Sequence, residues 1–417
     1  MSEHAPELNH LLEQFRGHLS KKRYASRVIN RYVAVAGHFL HFLERQQTSI
    51  AAVQPTHVAM YLQSELRRFH RRHGRAPSSI GGWRCSHTPG IHEFLRMLTG
   101  QWPTLPGVST PAEDFIQRLC HEYTQWLDNQ RGLAATTIDD LEAEARRFLS
   151  WHAGRTTTET LLGMQVADID AYLQDRSPSL RRITRKTVAQ RLRCFLRFAH
   201  VTGRTDRDFA PCVMAPTLYA FETIPSALSP DAIRAVLNTT REDRSPRGLR
   251  DYAILQLLST YGLRAGEITQ LQLDDIDWRA DRFCVRHTKT GAQSFLPLLP
   301  RVGEALLAYL RRGRPSTEAR EIFIRTRAPY LGLDCGSSLY GSIRRRLEAA
   351  GVEPKGKQGP HTFRHARAVS LLRAAVPLKA IGDMLGHRST GSVMAYLKLD
   401  TEELRAVALE IPSAEEL

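Results

Sequence analysis

His361 and Arg364 lie three apart in HTFRHARAVSLLR, so they share one face if that stretch is helical, as its apolar spacing suggests. His387 follows in LGHRS, and Tyr396 lies further on in MAYLK, a segment able to form one or two helical turns. Arg264, upstream in TYGLRAGEI, completes a set of two arginines, two histidines and a tyrosine. Such a set suits a phosphodiester. Phosphoryl transfer spreads negative charge over non-bridging oxygens, and guanidinium forks match those oxygens. Histidine can accept or donate a proton near neutral pH. A phenol can attack phosphorus and hold the energy of the broken bond in a covalent ester. Chemistry of this kind requires no metal.

Several elements must position these groups. RGLRDYAILQLLSTYG reads as an apolar helix ended by Gly262, with Arg264 opening the next helix and Glu267, one turn on, able to orient it. FCVRHTKTGAQSFLPL reads as a β-hairpin around Lys289, Thr290 and Gly291. PRVGEALLAYLRRG reads as a helix, EIFI as a short strand, and SSLYGSIRRRLEAAG as a helix with Arg344, Arg345 and Arg346 available to DNA. VPLKAIGDMLG reads as a further helical segment. After Tyr396, LDTEELRAVALEI offers an amphipathic helix with Leu404, Val407, Ala408 and Ile411 apolar. Upstream, Ser229 and Pro230 cap a new helix after a proline-marked linker.

Together Arg264 in GLRAGE, the HTFRH box, the LGHRS box and Tyr396 resemble the tyrosine recombinase (phage integrase-like) family in order and spacing. The likeness covers residues 230–400 closely and 111–220 more loosely. It implies a site-specific recombinase that cuts and rejoins DNA through a 3′-phosphotyrosine intermediate on Tyr396. In that scheme Arg264 and Arg364 hold the non-bridging oxygens, His387 adds a hydrogen bond, His361 assists proton transfer at the tyrosine, and Lys289 protonates the departing 5′ oxygen. It implies no cofactor and no metal. Its partners would be double-stranded DNA and a homo-tetramer on that DNA, or an assembly with related recombinases. The wording of the catalytic stretch is most similar to bacterial enzymes carried by mobile elements, so integration, excision or transposition is the expected role. Comparable C-terminal tails in the family dock on a neighbouring protomer; docking on the chain's own domain fits the sequence equally.

Three rivals share features with this reading. A type IB topoisomerase would use the same groups but religate the same strand. A DNA-binding regulator would keep the fold with an idle site. A metal phosphodiesterase using His361, His365 and His387 would need a carboxylate beside those histidines, and none stands there.

A chain of 417 residues exceeds one ordinary core and divides, on this reading, into 1–105, 111–215 and 226–417. The expected fold class is mainly α: two N-terminal helical units and an α+β catalytic domain with a small antiparallel sheet. The first two regions repeat one plan. VINRYVAVAGHFLHFL corresponds to TIDDLEAEARRFLSWH, VAMYLQ to IDAYLQ, and EFLRML to CFLRFA, at offsets of about 110, 110 and 101 residues, as in a duplicated four-helix unit. The alternative is one larger helical domain. In the first copy RRFHRRHGRAPSSIGGW is expected to end in a loop, because Pro77, Gly81 and Gly82 break helices.

Net charge is +15, which favours a polyanionic partner. The charge is clustered. From Arg176 to Arg197 the second copy holds eight basic residues and no acid: Arg176, Arg181, Arg182, Arg185, Lys186, Arg191, Arg193 and Arg197. If Arg185 onward is helical, Lys186, Arg193 and Arg197 share a face while Val188, Leu192, Phe195 and Leu196 face a core. Arg181, Arg182, Arg185, Lys186, Arg193 and Arg197 are therefore the expected phosphate contacts. The first copy has a lesser cluster in Arg67, Arg68, Arg71, Arg72 and Arg75, compatible with DNA. Six cysteines without a CxxC pair point to free thiols, and Cys85 with His87 lacks the second half of a metal site. With no signal-like N-terminus and no run of 18 apolar residues, a soluble cytoplasmic protein is expected.

Overall fold

The computed structural model describes residues 5–103, 110–156, 160–219, 227–287, 291–333, 336–354, 356 and 358–386. Lys289, His387, Tyr396 and the LDTEELRAVALEI helix therefore lie outside the described residues. The chain is mainly α with one three-stranded antiparallel sheet, as the sequence implied. It forms two compact units, residues 1–104 with 223–417, and residues 105–222. None of the described helices is long and apolar enough to cross a membrane.

Four helices open the chain: α1 (Ala5–Lys21), α2 (Ser26–Arg45), α3 (Pro55–His73) and α4 (Ile80–Thr99). Four more make the 105–222 unit: α5 (Pro111–Arg131), α6 (Ala135–Ala153), α7 (Val166–Arg176) and α8 (Arg182–Val201). The repeat read from sequence is reproduced in how the rings pack. In the first copy Tyr61 of α3 meets Phe39 at 5.3 Å and Phe42 at 5.6 Å, both edge-on. At the matching positions of the second, Tyr172 of α7 meets Phe148 at 5.2 Å and Trp151 at 5.5 Å, both edge-on. Edge-to-face pairs at this distance are favoured by the ring quadrupole. The two stretches aligned as copies thus share one ring arrangement.

One expectation fails in the first copy. Gly81 and Gly82 do not break the chain; they sit in the first turn of α4, whose start is capped by Ser79 Oγ accepting from the Gly82 amide at 3.0 Å. A good cap at the N-terminus outweighs the entropic cost of the glycines, which is smallest at a helix end. IHEFLRML forms the second half of this one element.

The remaining elements are α9 (Pro230–Glu242), α10 (Pro246–Tyr261), α11 (Ala265–Thr269), β1 (Ile276–Asp277), β2 (Arg282–Arg286), β3 (Gln293–Pro297), α12 (Pro300–Arg312), α13 (Tyr340–Ala349), α14 (Pro360–Arg373) and α15 (Leu378–Met384). Ser229 caps α9 by accepting from the Ala232 amide, as its sequence position suggested. α10 is the hub: Ala253, Ile254, Leu257 and Leu258 are fully buried, and it packs on α9, α12 and α14. Ile254, Leu257 and Leu258 each contribute about 1.5–3 kcal/mol by leaving water. The hairpin stands as expected, β2 pairing antiparallel with β3 from Arg282↔Pro297 to Arg286↔Gln293. β1 adds a third strand that sequence patterning did not suggest. EIFI is not a strand; only isolated bridges, Gln272↔Glu321 and Ile324↔Gly332, occur there.

Burial also reassigns a basic residue. Arg346 is not available to DNA: it bonds Asp243 at 2.8 Å and Asp251 at 3.0 Å with a largely buried side chain. Arg250 joins the same network through Asp251, the Ile324 carbonyl and Ser342 Oγ, tying α10 to α13. Buried charges persist only when paired in this way.

Candidate active site

Arg264 sits at the start of α11 because Gly262 ends α10 in a left-handed turn, φ +66°. That glycine also admits a close approach, since a Cβ there would stand 2.8 Å from Leu385 Cδ2. Glu267, fully buried, closes the turn: its carboxylate accepts from the Arg264 amide and from Arg264 Nη1, each at 2.7 Å. The orienting role expected of Glu267 is therefore seen directly. Arg264 Nη2 reaches the Gly386 carbonyl at 2.9 Å.

Arg364 comes from α14, one turn after His361. Its side chain is buried, donating to the Gly262 carbonyl at 2.9 Å and the Leu385 carbonyl at 2.5 Å. Both guanidiniums thus grip consecutive carbonyls, Leu385 and Gly386, in the turn that leads into His387. Arg364 of the HTFRH box and Leu385 and Gly386, the first two residues of the LGHRS box, lie together. His361 is exposed at the first turn of α14, its ring 6.2 Å from that of His365.

Sequence reading missed His287. It stands at the base of the hairpin, its amide bonded to the Ala292 carbonyl and its carbonyl accepting from the Gly291 amide, each at 2.8 Å. The ring is 2% exposed, with Nδ1 2.8 Å from Glu267 Oε1 and Nε2 2.9 Å from Ser294 Oγ. Gly386, at φ +62°, faces the same ring: a Cβ would fall 2.6 Å from His287 Nδ1. One imidazole therefore touches the hairpin that carries Lys289, the carboxylate that holds Arg264 and the glycine before His387. No periodic signal marks such a residue. Arg367, one turn beyond Arg364, was also unforeseen; burial lowers its pKa, and its Nε has no hydrogen-bond partner among the described residues.

The basic candidates of the 105–222 unit divide. Val188, Leu192, Phe195 and Leu196 are buried as expected, and Arg181, Arg182, Arg185 and Arg197 are exposed. Lys186 and Arg193 are half-buried, Arg193 donating to the Val213 carbonyl at 2.6 Å. Arg185 Nε bonds the Leu180 carbonyl, and Arg182 lies over the Tyr219 ring. Within the run the missing acids are supplied from elsewhere: Asp140 meets Arg191, and Glu144 meets Arg176.

Comparison with known proteins fits this geometry. Residues 226–403 match the phage integrase family. A protein of Sinorhizobium fredii described as integrase/recombinase y4gC is 60% identical over 192 residues, 46% of this chain and 98% of that one. Tyrosine recombinase XerD of Mycobacterium tuberculosis is 28% identical over 301 residues, covering 68% and 94% of the two chains. Among solved structures, XerH site-specific recombinase bound to palindromic difH substrate shares the fold with a TM-score of 0.57 at 15% identity, over 72% of this chain and 97% of that one. Gripped guanidiniums, a shared fold and 60% identity over 192 residues to an integrase/recombinase converge on one conclusion: this chain belongs to the tyrosine recombinase, or phage integrase, family.

Proposed function

We propose that this protein exchanges strands between specific sites in double-stranded DNA, with Tyr396 as nucleophile, in the integration, excision or transposition of a mobile element. The Tyr396 hydroxyl oxygen attacks the scissile phosphorus, and the bond from phosphorus to the 5′ oxygen breaks. His361 takes the phenolic proton, and Lys289 supplies one to the departing 5′-hydroxyl. Arg264 and Arg364 hold the non-bridging oxygens, and His387 adds a hydrogen bond to one of them. The phosphotyrosyl ester keeps the energy of the broken diester, so a 5′-hydroxyl from another strand can reverse the step without a nucleotide cofactor.

The observation that carries this reading is the convergence of Arg264 and Arg364 on the turn entering His387. Two buried or half-buried cations held beside one turn, in a family of DNA strand transferases, suit a phosphate between them. Exposed Arg181, Arg182, Arg185 and Arg197, with Lys186 and Arg193, act in this reading as the phosphate contacts of a helical clamp formed by the 105–222 unit. Exchange between two duplexes requires four strand cuts, which supports a homo-tetramer on DNA or a mixed assembly with related recombinases.

A duplex nicked beside the scissile phosphate tests the proposal, because the short 5′ fragment diffuses away and traps the ester. Wild-type protein should become covalently joined to DNA, and Tyr396→Phe should not. An adduct undiminished in Tyr396→Phe would remove the assignment. Products with exchanged flanks distinguish recombination from relaxation of supercoils.

A further inference from the structure

The two helical repeats carry their positive charge at the same corner. In the second copy the basic run starts where α7 ends and continues along α8. In the first it starts in the last turns of α3 and crosses the connector into α4, through Arg67, Arg71, Arg72, Arg75 and Arg84. All five are exposed. Between Pro55 and His92 the only acid is Glu65, which stands 3.5 Å from Arg68 and serves that residue alone among the arginines. Arginines this close repel one another unless a polyanion lies against them.

The corner is also shaped. Arg67, His70 and Arg71 line a groove of about 660 Å³ with Ser64, Leu66 and Ile80. A second groove of about 390 Å³ is lined by Phe69, Arg75 and Trp83, with Phe69 stacked on His73 and Trp83 on His87, each pair 4.2 Å apart. Val58 and Tyr61 of α3 are buried in the bundle, and the exposed face of its last turns carries Arg67, Arg68, Arg71 and Arg72, so that face offers no continuous apolar stripe to a lipid surface. A charged groove with a committed apolar face suits a phosphate backbone better than a membrane.

Taking the strand-exchange function above as given, we propose that the corner where α3 meets α4 is a second duplex-DNA contact, gripping phosphates in addition to the run at α7 and α8. The protein then holds more DNA than the segment it cuts: flanks of the same site, or a separate duplex.

The test uses the full chain and a site selected by it from random duplexes. Arg67, Arg71, Arg72 and Arg75 are changed together to Ala and, separately, together to Lys. Binding is measured over a salt series to the bare core site, to the site with long flanks, and to the core site with a second labelled duplex in trans. The alanine protein should lose about ten- to a hundredfold in affinity, and about three in the slope of log affinity against log salt, on whichever longer or second DNA is contacted. The lysine protein should keep both. Covalent adduct on the nicked core site should form at the wild-type rate in each, which shows that the variants fold. Equal affinity and slope for the alanine and wild-type proteins on all three DNAs would overturn the proposal. So would a loss confined to phosphatidylserine vesicles. Absence of an adduct with wild-type protein would instead defeat the recombinase chemistry, leaving the salt series to report on this corner alone.

Discussion

Arg264 and Arg364 donate to consecutive main-chain carbonyls, Arg264 Nη2 to Gly386 at 2.9 Å and Arg364 Nη2 to Leu385 at 2.5 Å. Side chains from α11 and α14 are thereby locked against one turn, and through it against each other. Each guanidinium engages protein through both Nη groups, Arg264 with Glu267 and Gly386 and Arg364 with Gly262 and Leu385, which fixes the plane in which its remaining donors lie. That is preorganisation: orientation is settled before any phosphate arrives.

Lysine at either position keeps the charge and loses the fork. Arg264→Lys and Arg364→Lys should each slow covalent adduct formation on nicked DNA by about a hundredfold or more, with DNA affinity little changed. Single-turnover rates and a binding isotherm check this together. A lysine protein cutting at the wild-type rate would mean that the fork geometry is not used.

His287 gives a sharper test, because its two nitrogens have different partners. With a proton on Nδ1 the ring donates to Glu267, and Nε2 meets the Ser294 hydroxyl. Asparagine can reproduce the nitrogen nearer the main chain, and glutamine the farther one. If His287 positions Arg264 by fixing the Glu267 carboxylate, His287→Asn should keep most of the cleavage rate. His287→Gln should lose about tenfold or more, with substrate affinity unchanged, since a hydrogen bond to a buried charge is worth about 1.5–3 kcal/mol. Equal rates in the two variants would reduce His287 to packing.

Much of this site was legible because its residues sit on strongly periodic helices. HTFRHARAVSLLR is helical as its apolar spacing suggested, and Gly262 ends α10 where its type suggested. What escaped was tertiary. The Glu267 partner of His287 lies on another element, and nothing local to VRHTKTG announces it. Arg346 looked like surface charge in IRRRLE because Asp243 and Asp251 are far away in sequence. Gly81 and Gly82 looked like a break because their type speaks for turns, whereas the capping hydroxyl of Ser79 decides the backbone there.

Duplication supplies a pair of opposite-signed predictions. Tyr61 and Tyr172 occupy the same place in the two copies, yet their hydroxyls differ in fate. Tyr172 donates to the buried Glu144 carboxylate at 2.5 Å, whereas the buried Tyr61 hydroxyl has no hydrogen-bond partner among the described residues. Burial pushes both phenols up, and at Tyr172 the bond to Glu144 pushes further. Tyr61→Phe should therefore stabilise its bundle by about 0.5–1 kcal/mol, and Tyr172→Phe should destabilise its own by about 1.5–3 kcal/mol. Denaturant midpoints followed by local hydrogen exchange read both signs. Like signs at the two positions would mean that ring packing, not the hydroxyl, governs them.

His152 sets a pH dependence for the 105–222 unit. It is 5% exposed near the end of α6, stacked 6.0 Å from Phe148, and burial lowers its pKa despite the opposing charge of Asp168. A depressed base binds its proton in the unfolded chain before it does so in the folded one. Unfolding therefore takes up a proton between the two pKa values, and stability falls as pH drops below about 6.5, the ordinary value, until the folded-state pKa is passed. Above pH 7 the residue contributes no such slope. Amide exchange from α6 in the intact chain should quicken between pH 7 and pH 5.5 relative to His152→Gln, after correction for intrinsic exchange. A variant with the same pH slope as wild type would show that His152 keeps its ordinary pKa in the fold, with Asp168 offsetting its burial.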